Sequence, residues 1–434
     1  MSDGALLYTY YGDDFTGSTD VLEQLALQGV PAALFLAPPT PDQLAHFPGL
    51  RAFGVAGDAR SRTPAWMDEH LPSVFEALRS FGAPITHYKV CSTFDSSPGV
   101  GNIGRAIEIG LRVFEPRFVP VVVGAPHLRR YVMEGKLYAA APDGMIHRID
   151  RHPMRRHPVT PMREPDLTQH LALQSDERAG LILHEDLASN ERAHAALQHL
   201  LDGGTRVVLF DTIDAESMAR IGALLWREAR ASTLFSASSS GLTAALLSAW
   251  RAEGLLPTAP ALQRVPSTCP LLVVSGSCSA ATARQIKWAL ENGFHGIHIT
   301  PAEWLDANAS DLRDQTIAEA ARVLGENKDV LIYSAVGEST EQVAGPALGA
   351  ALGRLAKELL AQTPVQRVVF CGGDTSSHAV QQLGISALTW LASLDPGAPL
   401  CLAHGESPGA SRLELILKGG QVGGPDFFAR ARGD

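Results

Sequence analysis

The chain has 434 residues, of which 45% are hydrophobic and 19% charged, and its formal net charge is −10. This length allows two domains with cores of their own, and we find no run of about twenty apolar residues that would cross a membrane. The negative charge argues against nucleic acid as a partner, because that binding depends on clustered Lys and Arg. A small anionic ligand remains compatible with it, since a local basic pocket suffices.

The first predicted strand, residues 6–11, runs directly into two adjacent carboxylates, Asp13 and Asp14. Ligands of an open α/β sheet bind at the carboxyl ends of its strands. Two neighbouring carboxylates repel each other, so we expect a raised pKa in one of them or a cation beside them. The pair indicates general-base or metal chemistry, and a solvated loop whose acids cap the next helix is an equally weighted alternative.

The rest of the first half alternates short apolar runs with helical patterns, which favours a mostly parallel sheet. A helix is predicted from about Thr19 to Gln28, with Asp20 and Glu23 as its start signal and Gly29 as its end. Further strands are predicted at 32–36, 52–56, 85–89, 118–123, 180–183 and 206–210.

Residues 254–270 contain four prolines and are the best linker candidate, which predicts domains at 1–256 and 268–434. The second half offers strands at 271–274, 330–334 and 367–371. Three small-residue turns belong to this half: Ser275–Ser279, Gly372–Ser377 and the glycine-rich segment 418–424. Backbone N–H groups and hydroxyls at a helix N-terminus bind anions, most often phosphate. Three such turns in one domain indicate a nucleotide site.

Basic residues of the first half are candidates for a carboxylate ligand. Arg62, in the segment Arg60–Ser61–Arg62, offers a bidentate fork, and Lys89 at the end of its strand is the second choice. His147, His152 and His157 share no helical face and no Cys or Glu completes a metal set. Their loop is either a basic surface segment or a flap over an anionic substrate.

Neither of two common nucleotide-binding motifs fits the sequence in full. Gly99–Gly104 fits G-x-G-x-x-G, but no strand immediately precedes it and no acid ends the next strand, which argues against an NAD-dependent dehydrogenase. The chain has no GxxxxGK[ST] sequence, so an ATP site would not be of the P-loop type.

Several motifs together resemble the four-carbon acid sugar kinases, which include the 3-oxo-tetronate, threonate and erythronate kinases. The matching segments are 13–17, 89–96, 101–104, 157–162, 275–279 and 372–377, in the order typical of that family. Many members of that family carry Asp at the position of Cys91, and the chain also differs from the family at Gly12, Gly419, Gln421 and Val422. These differences leave the identity of the acid sugar undetermined. The 3-oxo-tetronate and 3-oxo-isoapionate branches resemble the chain equally well.

The resemblance implies an ATP-dependent kinase of two α/β domains with mostly parallel sheets and the active site in the cleft between them. Asp14 or Asp13 would deprotonate the terminal hydroxyl of the acid sugar. The substrate would be bound by Arg62, Lys89, Cys91, Ser92 and Thr93. ATP would be bound by Ser277, Gly372, Gly373, Asp374, Thr375 and Gly420, with Mg²⁺ bridging its phosphates and no side-chain metal ligands assigned. A sugar-acid sensor without catalysis is the alternative of another class.

The five cysteines show no C-x-x-C spacing, and the N-terminus lacks the basic and apolar regions of a signal peptide. We therefore expect reduced thiols and a cytoplasmic protein with no membrane partner. The sequence leaves the oligomeric state open, and a homo-oligomer is compatible with it.

Overall fold

The computed structural model describes residues 5–141, 144–157, 159–261, 264–337, 345–405 and 413–433, with the side chain of Asp374 outside the description. The chain divides into two compact units. The first comprises the residues up to Ala32 together with Pro38–Pro260, and the second comprises Ala33–Ala37 together with the residues from Ala261 onward. Within the described residues, no helix is both long enough and apolar enough to cross a membrane.

Eleven strands are described before residue 260. They are Tyr8–Gly12 (β1), Ala32–Phe35 (β2), Ala52–Ala56 (β3), Ile85–Lys89 (β4), Val119–Val121 (β5), Arg130–Met133 (β6), Lys136–Ala140 (β7), Ile146–Arg148 (β8), Ala179–Ile182 (β9), Val207–Phe210 (β10) and Leu234–Ser238 (β11). The described α-helices of this part are Phe15–Leu27 (α1), Pro41–Ala45 (α2), Pro64–Ser80 (α3), Ile103–Phe114 (α4), Leu167–Ala172 (α5), Asn190–Asp202 (α6), Ala215–Ala231 (α7) and Ser240–Ala252 (α8).

The first unit is built around four parallel strands, β1, β3, β4 and β11, that are buried along their whole length. β1 pairs with β3 on one side and with β4 on the other, and β4 pairs with β11, all in parallel. A second parallel sheet has the order β5-β10-β9, and β6, β7 and β8 form an antiparallel sheet. Strands buried on both faces are near-continuous apolar runs, as in Tyr8–Gly12.

The second unit contains Leu271–Ser275 (β12), His295–His298 (β13), Val330–Tyr333 (β14), Arg367–Cys371 (β15), Ala387–Asp395 (β16), Ala398–His404 (β17) and Glu414–Lys418 (β18). Its described α-helices are Ala280–Glu291 (α9), Pro301–Leu305 (α10), Ser310–Gly325 (α11), Gly345–Gln362 (α12), Gly373–Val380 (α13) and Phe427–Arg432 (α14). The strands β18, β15, β12, β14 and β13 lie in that order and are parallel. β17 pairs antiparallel with β18 and with β16, and β16 pairs antiparallel with β2.

The α/β class with mostly parallel sheets, predicted from the sequence, is confirmed, and the predicted strands are present with ends shifted by a few residues. The predicted start of the first helix is wrong. Asp14 is the N-cap of α1, so the helix begins at Phe15 and not at Thr19, and Asp20 and Glu23 lie inside it. Gly29 does end this helix region, with a φ of 79° that favours glycine.

Candidate active site

The acid pair lies where three parallel strands end together. In the register of the sheet, Gly12 at the end of β1 is aligned with Ala56 of β3 and with Lys89 of β4. The N–H of Asp13 donates to the carbonyl of Lys89 at 2.9 Å, and the carbonyl of Asp13 accepts from the N–H of Arg60 at 3.0 Å. The segments that follow these three strands are therefore joined by their backbones.

A single guanidinium bridges the two carboxylates. Arg60 donates from Nη2 to Oδ1 of Asp13 at 2.6 Å, from Nε to Oδ2 of Asp13 at 3.1 Å, and from Nη2 to Oδ1 of Asp14 at 2.8 Å. The cation expected beside the acid pair is thus present. It is Arg60, which sequence reasoning had named only as part of the segment that contains Arg62.

The surroundings separate the acidities of the two carboxyl groups. Burial raises the pKa of Asp13 to about 6 against the opposing effect of Arg60, and the charge of Asp14 adds to the rise. Burial also acts to raise the pKa of Asp14. However, Arg60, Lys89 and the hydroxyl of Thr16 together hold that pKa below its usual range. A raised pKa in one member of the pair, expected from the sequence, is therefore confirmed for Asp13.

Asp14 has a structural role as well. Its Oδ1 accepts from the N–H of Gly17 at 3.0 Å, and its Oδ2 accepts from the hydroxyl of Thr16 at 2.6 Å, which caps α1. The helix-cap reading of the sequence is therefore correct for Asp14. Asp13 accepts side-chain hydrogen bonds only from Arg60 among the described residues, so each of its oxygens retains free acceptor capacity.

Lys89 places an ammonium group beside the pair. The residue is 3% exposed, yet its Nζ has no hydrogen-bond or ion-pair partner among the described residues. Its charge lowers the pKa values of both Asp13 and Asp14. A Cβ atom on Gly17 would overlap Nζ of Lys89 and the carboxylate of Asp14. Glycine at this position therefore lets the ammonium and the carboxylate lie close to the backbone of α1.

Arg62, by contrast, already has partners. Its Nε donates to Oδ2 of Asp58 at 3.0 Å, and its Nη2 contacts the same oxygen. Its guanidinium lies 5.1 Å from the centre of the Trp66 ring, and its side chain is 35% exposed. The fork predicted for a substrate carboxylate is thus occupied by Asp58 in the structure.

The turn after β4 brings a third carboxylate to Arg60. The hydroxyl of Thr93 donates to Oδ1 of Asp95 at 2.6 Å and lies 3.0 Å from Sγ of Cys91. Burial acts to raise the pKa of Asp95, but Arg60, Thr93 and His157 hold it below its usual range. Sequence analysis did not select Asp95, although an acid two residues after a predicted ligand, Thr93, was the available signal.

Cys91 and Ser92 are half-buried in this turn. Burial and the charge of Asp95 raise the pKa of the Cys91 thiol, so it stays protonated near neutral pH. Among the described residues, no group of three or more His, Cys, Asp or Glu could hold a metal ion.

A second cluster lies where β12, β15 and β18 end. The register aligns Ser275, Cys371 and Lys418, so the three small-residue turns that follow are adjacent. A Cβ atom on Gly420 would lie 3.0 Å from Oγ of Ser277, and one on Gly372 would lie 3.1 Å from Oγ1 of Thr375. The structure thus brings together four residues predicted to bind nucleotide: Ser277, Gly372, Thr375 and Gly420.

Glycine is required at Gly372, where φ is 110° as the chain enters α13. Gly373 opens that helix, and in the described part of the chain nothing beyond its own neighbours and helix backbone lies within 4 Å of the position its Cβ would take. The side chain of Asp374, also predicted to bind nucleotide, lies outside the described part of the chain. The N-terminus of a helix that opens with glycine suits an anion, because backbone N–H groups can approach it closely.

Lys418 was not selected from the sequence, although it begins the glycine-rich segment. It is fully buried, and its Nζ donates to Oγ1 of Thr282 at 3.0 Å and to the carbonyl of Gly419 at 3.1 Å. Burial lowers the pKa of this ammonium group. No local sequence pattern predicts that this lysine donates to the carbonyl of Gly419 at the start of the glycine-rich turn. Only the structure shows this contact.

Comparison with known proteins matches both halves of the chain. Residues 8–246 match a family model described as a sugar-binding N-terminal domain, and residues 272–428 match a nucleotide-binding C-terminal domain. A 3-oxo-isoapionate kinase from Paraburkholderia graminis is 45% identical, covering 98% of this chain and 94% of the relative. A 3-oxo-tetronate kinase from Pseudomonas savastanoi pv. phaseolicola is 31% identical, covering 96% and 95%.

Solved structures agree on the fold. A Salmonella typhimurium LT2 protein described as a putative tRNA synthase superposes with a TM-score of 0.79 at 25% identity, covering 99% of both chains. A Haemophilus influenzae protein of a domain family called DUF1537 superposes with a TM-score of 0.72 at 22% identity, covering 98% of this chain and 99% of the other. The second likeness concerns the fold alone.

The raised pKa of Asp13 predicts a pH dependence of stability. Between its ordinary value of 3.8 and about 6, the folded protein binds more protons than the unfolded chain. The free energy of unfolding therefore falls as pH rises through this window. Asp13→Asn should become more stable relative to the original protein from pH 4 to pH 6, by on the order of 2 kcal/mol, and then level off. Urea unfolding at several pH values measures this difference, and a flat or opposite trend would contradict the burial argument.

Proposed function

This chain belongs to the four-carbon acid sugar kinase family, and from that premise we propose that it transfers the γ-phosphoryl group of ATP to the terminal hydroxyl of a small acid sugar. Residues 1–256 would bind the acid sugar and residues 268–434 the nucleotide. The name of the relative at 45% identity makes 3-oxo-isoapionate the first candidate substrate. 3-Oxo-tetronate, named in relatives at about 30% identity, is the second.

The observation that carries the proposal is the acid pair bridged by Arg60 beside the buried ammonium group of Lys89, which has no partner in the described part of the chain. Phosphoryl transfer to a hydroxyl needs an acceptor for its proton and cations for the negative charges. A protein that only senses an acid sugar would gain nothing from two carboxylates next to its anionic ligand. The pair therefore favours catalysis over sensing.

Asp13 is the proposed proton acceptor. A general base is most effective when its pKa lies near the working pH, and the pKa of Asp13 is about 6. Asp14, held ionised by three hydrogen-bond donors, instead fixes Arg60 and the start of α1. Asp14 has the more exposed side chain of the two, at 14% against 5%, so it would help to orient the hydroxyl.

The ammonium of Lys89 would pair with the carboxylate of the acid sugar, because it is buried and has no partner of its own among the described residues. Ser92, Thr93 and Cys91 would contact the hydroxyl or keto groups from the turn after β4. Arg62 remains a second carboxylate ligand in the proposal, and would have to leave Asp58 to act as one.

ATP would be held by Ser277, the residues Gly372–Thr375 and Gly420, chiefly through backbone N–H groups. Mg²⁺ would neutralise phosphate charge when bound with ATP. Among the described residues, no group of three or more His, Cys, Asp or Glu side chains is placed to hold the ion.

A turnover assay tests the whole proposal. ATP consumption would be measured with 3-oxo-isoapionate, 3-oxo-tetronate, threonate and erythronate, each with its matching neutral polyol as the control. We expect phosphorylated product from at least one acid and little from the polyols. ATP-dependent product from none of the acids would contradict the proposed substrate class.

The base assignment predicts different effects of two isosteric changes. Asp13→Asn should lower kcat by about 100-fold or more and remove an acid limb of kcat/KM near pH 6. Asp14→Asn should lower kcat by less than about tenfold, because the asparagine side chain can still accept the hydrogen bond from the N–H of Gly17 and cap α1. Steady-state kinetics from pH 5 to 8 give both values, and the reverse order would assign the base to Asp14.

The open space around Gly373 predicts a selective loss of nucleotide binding. Gly373→Val should fold normally, since no atom of the described residues, its chain neighbours and own helix backbone aside, lies within 4 Å of the position its Cβ would take, but the side chain should occupy the volume proposed for a phosphate. We expect the affinity for ADP to fall by about tenfold or more, in line with loss of one or two charge-assisted hydrogen bonds. Calorimetry with ADP and with the acid sugar separates the effects, and weakened sugar binding with unchanged ADP binding would reverse the domain assignment.

The carboxylate role of Lys89 predicts a loss of charge preference. Lys89→Met should weaken kcat/KM on the acid sugar by about tenfold or more, with little effect on the neutral polyol. Arg62→Gln should have a smaller effect in the same direction, since Asp58 already engages that guanidinium. Equal losses on acid and polyol, with weaker apparent ATP affinity, would instead place Lys89 at the phosphates.

A further inference from the structure

The glycine-rich turn 419–424 is held by its carbonyl groups. Ser279, the N-cap of α9, and Thr282, three residues later, both donate a hydroxyl to the carbonyl of Gly420. Gln285, three residues further along the helix and fully buried, lies on the same face. Its Nε2 donates to the carbonyls of Val422, Gly423 and Gly424 at 2.9, 3.0 and 3.1 Å.

The opposite side of the turn carries N–H groups. In a planar trans peptide the C=O and the following N–H point to opposite sides. Carbonyls that face α9 therefore direct the N–H groups of Gln421, Gly423 and Gly424 away from it. These N–H groups, like that of Gly420, have no acceptor among the described residues. The turn thus offers several free donors within a short segment.

The hydrogen bonds that Gln285 donates come with an energetic penalty at its own side-chain oxygen. Its Oε1 is buried and has no hydrogen-bond partner among the described residues. An unsatisfied buried acceptor is unfavourable, but an apolar side chain at this position would remove the donor from three carbonyl groups. The amide is useful there because its nitrogen supplies two hydrogens without a charge and reaches three consecutive carbonyls.

We propose that Gln285 is a positioning residue for the nucleotide: it orients the peptides after Val422 and Gly423 so that their N–H groups face the phosphates. Gln285 does not touch the nucleotide itself. This inference rests on the proposed nucleotide site in the second unit and adds the residue that shapes it. Its effect should appear in the binding of phosphates and not in the binding of the acid sugar.

The test compares Gln285→Met, which keeps the length of the side chain but has no donor, with Thr363→Val. Thr363 donates its hydroxyl to the carbonyl of Leu359 at 2.6 Å at the end of α12, so the control removes one side-chain-to-backbone hydrogen bond from the same unit. For Gln285→Met we expect ADP affinity by calorimetry and KM for ATP to weaken about tenfold. Binding of the acid sugar should stay within about twofold. Thr363→Val should change neither.

Two outcomes would overturn the inference: ADP affinity of Gln285→Met within twofold of the original protein, or ADP and acid-sugar affinities that fall together. If Gln285→Met does not fold, hydrogen exchange in the original protein provides the test of the inference instead. ADP should slow exchange in a peptide covering 419–424, and no slowing by saturating ADP would overturn the inference. A protein that binds no ADP at all would contradict the proposed function, whereas normal ADP binding without this protection would contradict only the role of Gln285.

Discussion

The bridge from Arg60 to Asp13 and Asp14 is the interaction on which the first unit depends. Two adjacent carboxylates at the end of a buried strand repel each other and lose hydration, and either penalty alone would oppose folding. One guanidinium with five N–H donors satisfies both groups at once. Because Arg60 follows β3 and the acids follow β1, the same contact fixes the ends of two neighbouring strands.

The bridge also makes the two acids chemically different. Asp14 receives donors from Thr16 and Gly17 in addition to Arg60, which favours its charged form. Of the residues that the structure describes, only Arg60 donates to the carboxylate of Asp13, which is also more deeply buried, and burial favours its neutral form. Environments that separate the pKa values of neighbouring carboxyl groups are typical of acid–base sites.

The groups of the second unit that suit an anion differ from those of the first. Its cluster has few charged side chains and instead collects small residues and backbone N–H groups where β12, β15 and β18 end. Lys418 is turned toward Thr282 and the carbonyl of Gly419. A chain with a net charge of −10 thus has a buried ammonium group, that of Lys89, in the first unit and oriented peptides in the second, and both kinds of group suit an anion.

The sequence by itself determined the class of the fold, most of the strands, the acid pair and the three small-residue turns, because these are read from local apolar runs, glycines and neighbouring charges. It could not decide which arginine meets the acids. Arg60 and Arg62 are two residues apart, and only the turn after β3 directs one to Asp13 and the other to Asp58. Nor could it assign Ala33–Ala37 to the second unit, since the pairing of β2 with β16 joins residues about 350 positions apart. The role of Gln285 likewise follows from a contact across 137 positions that no local pattern encodes.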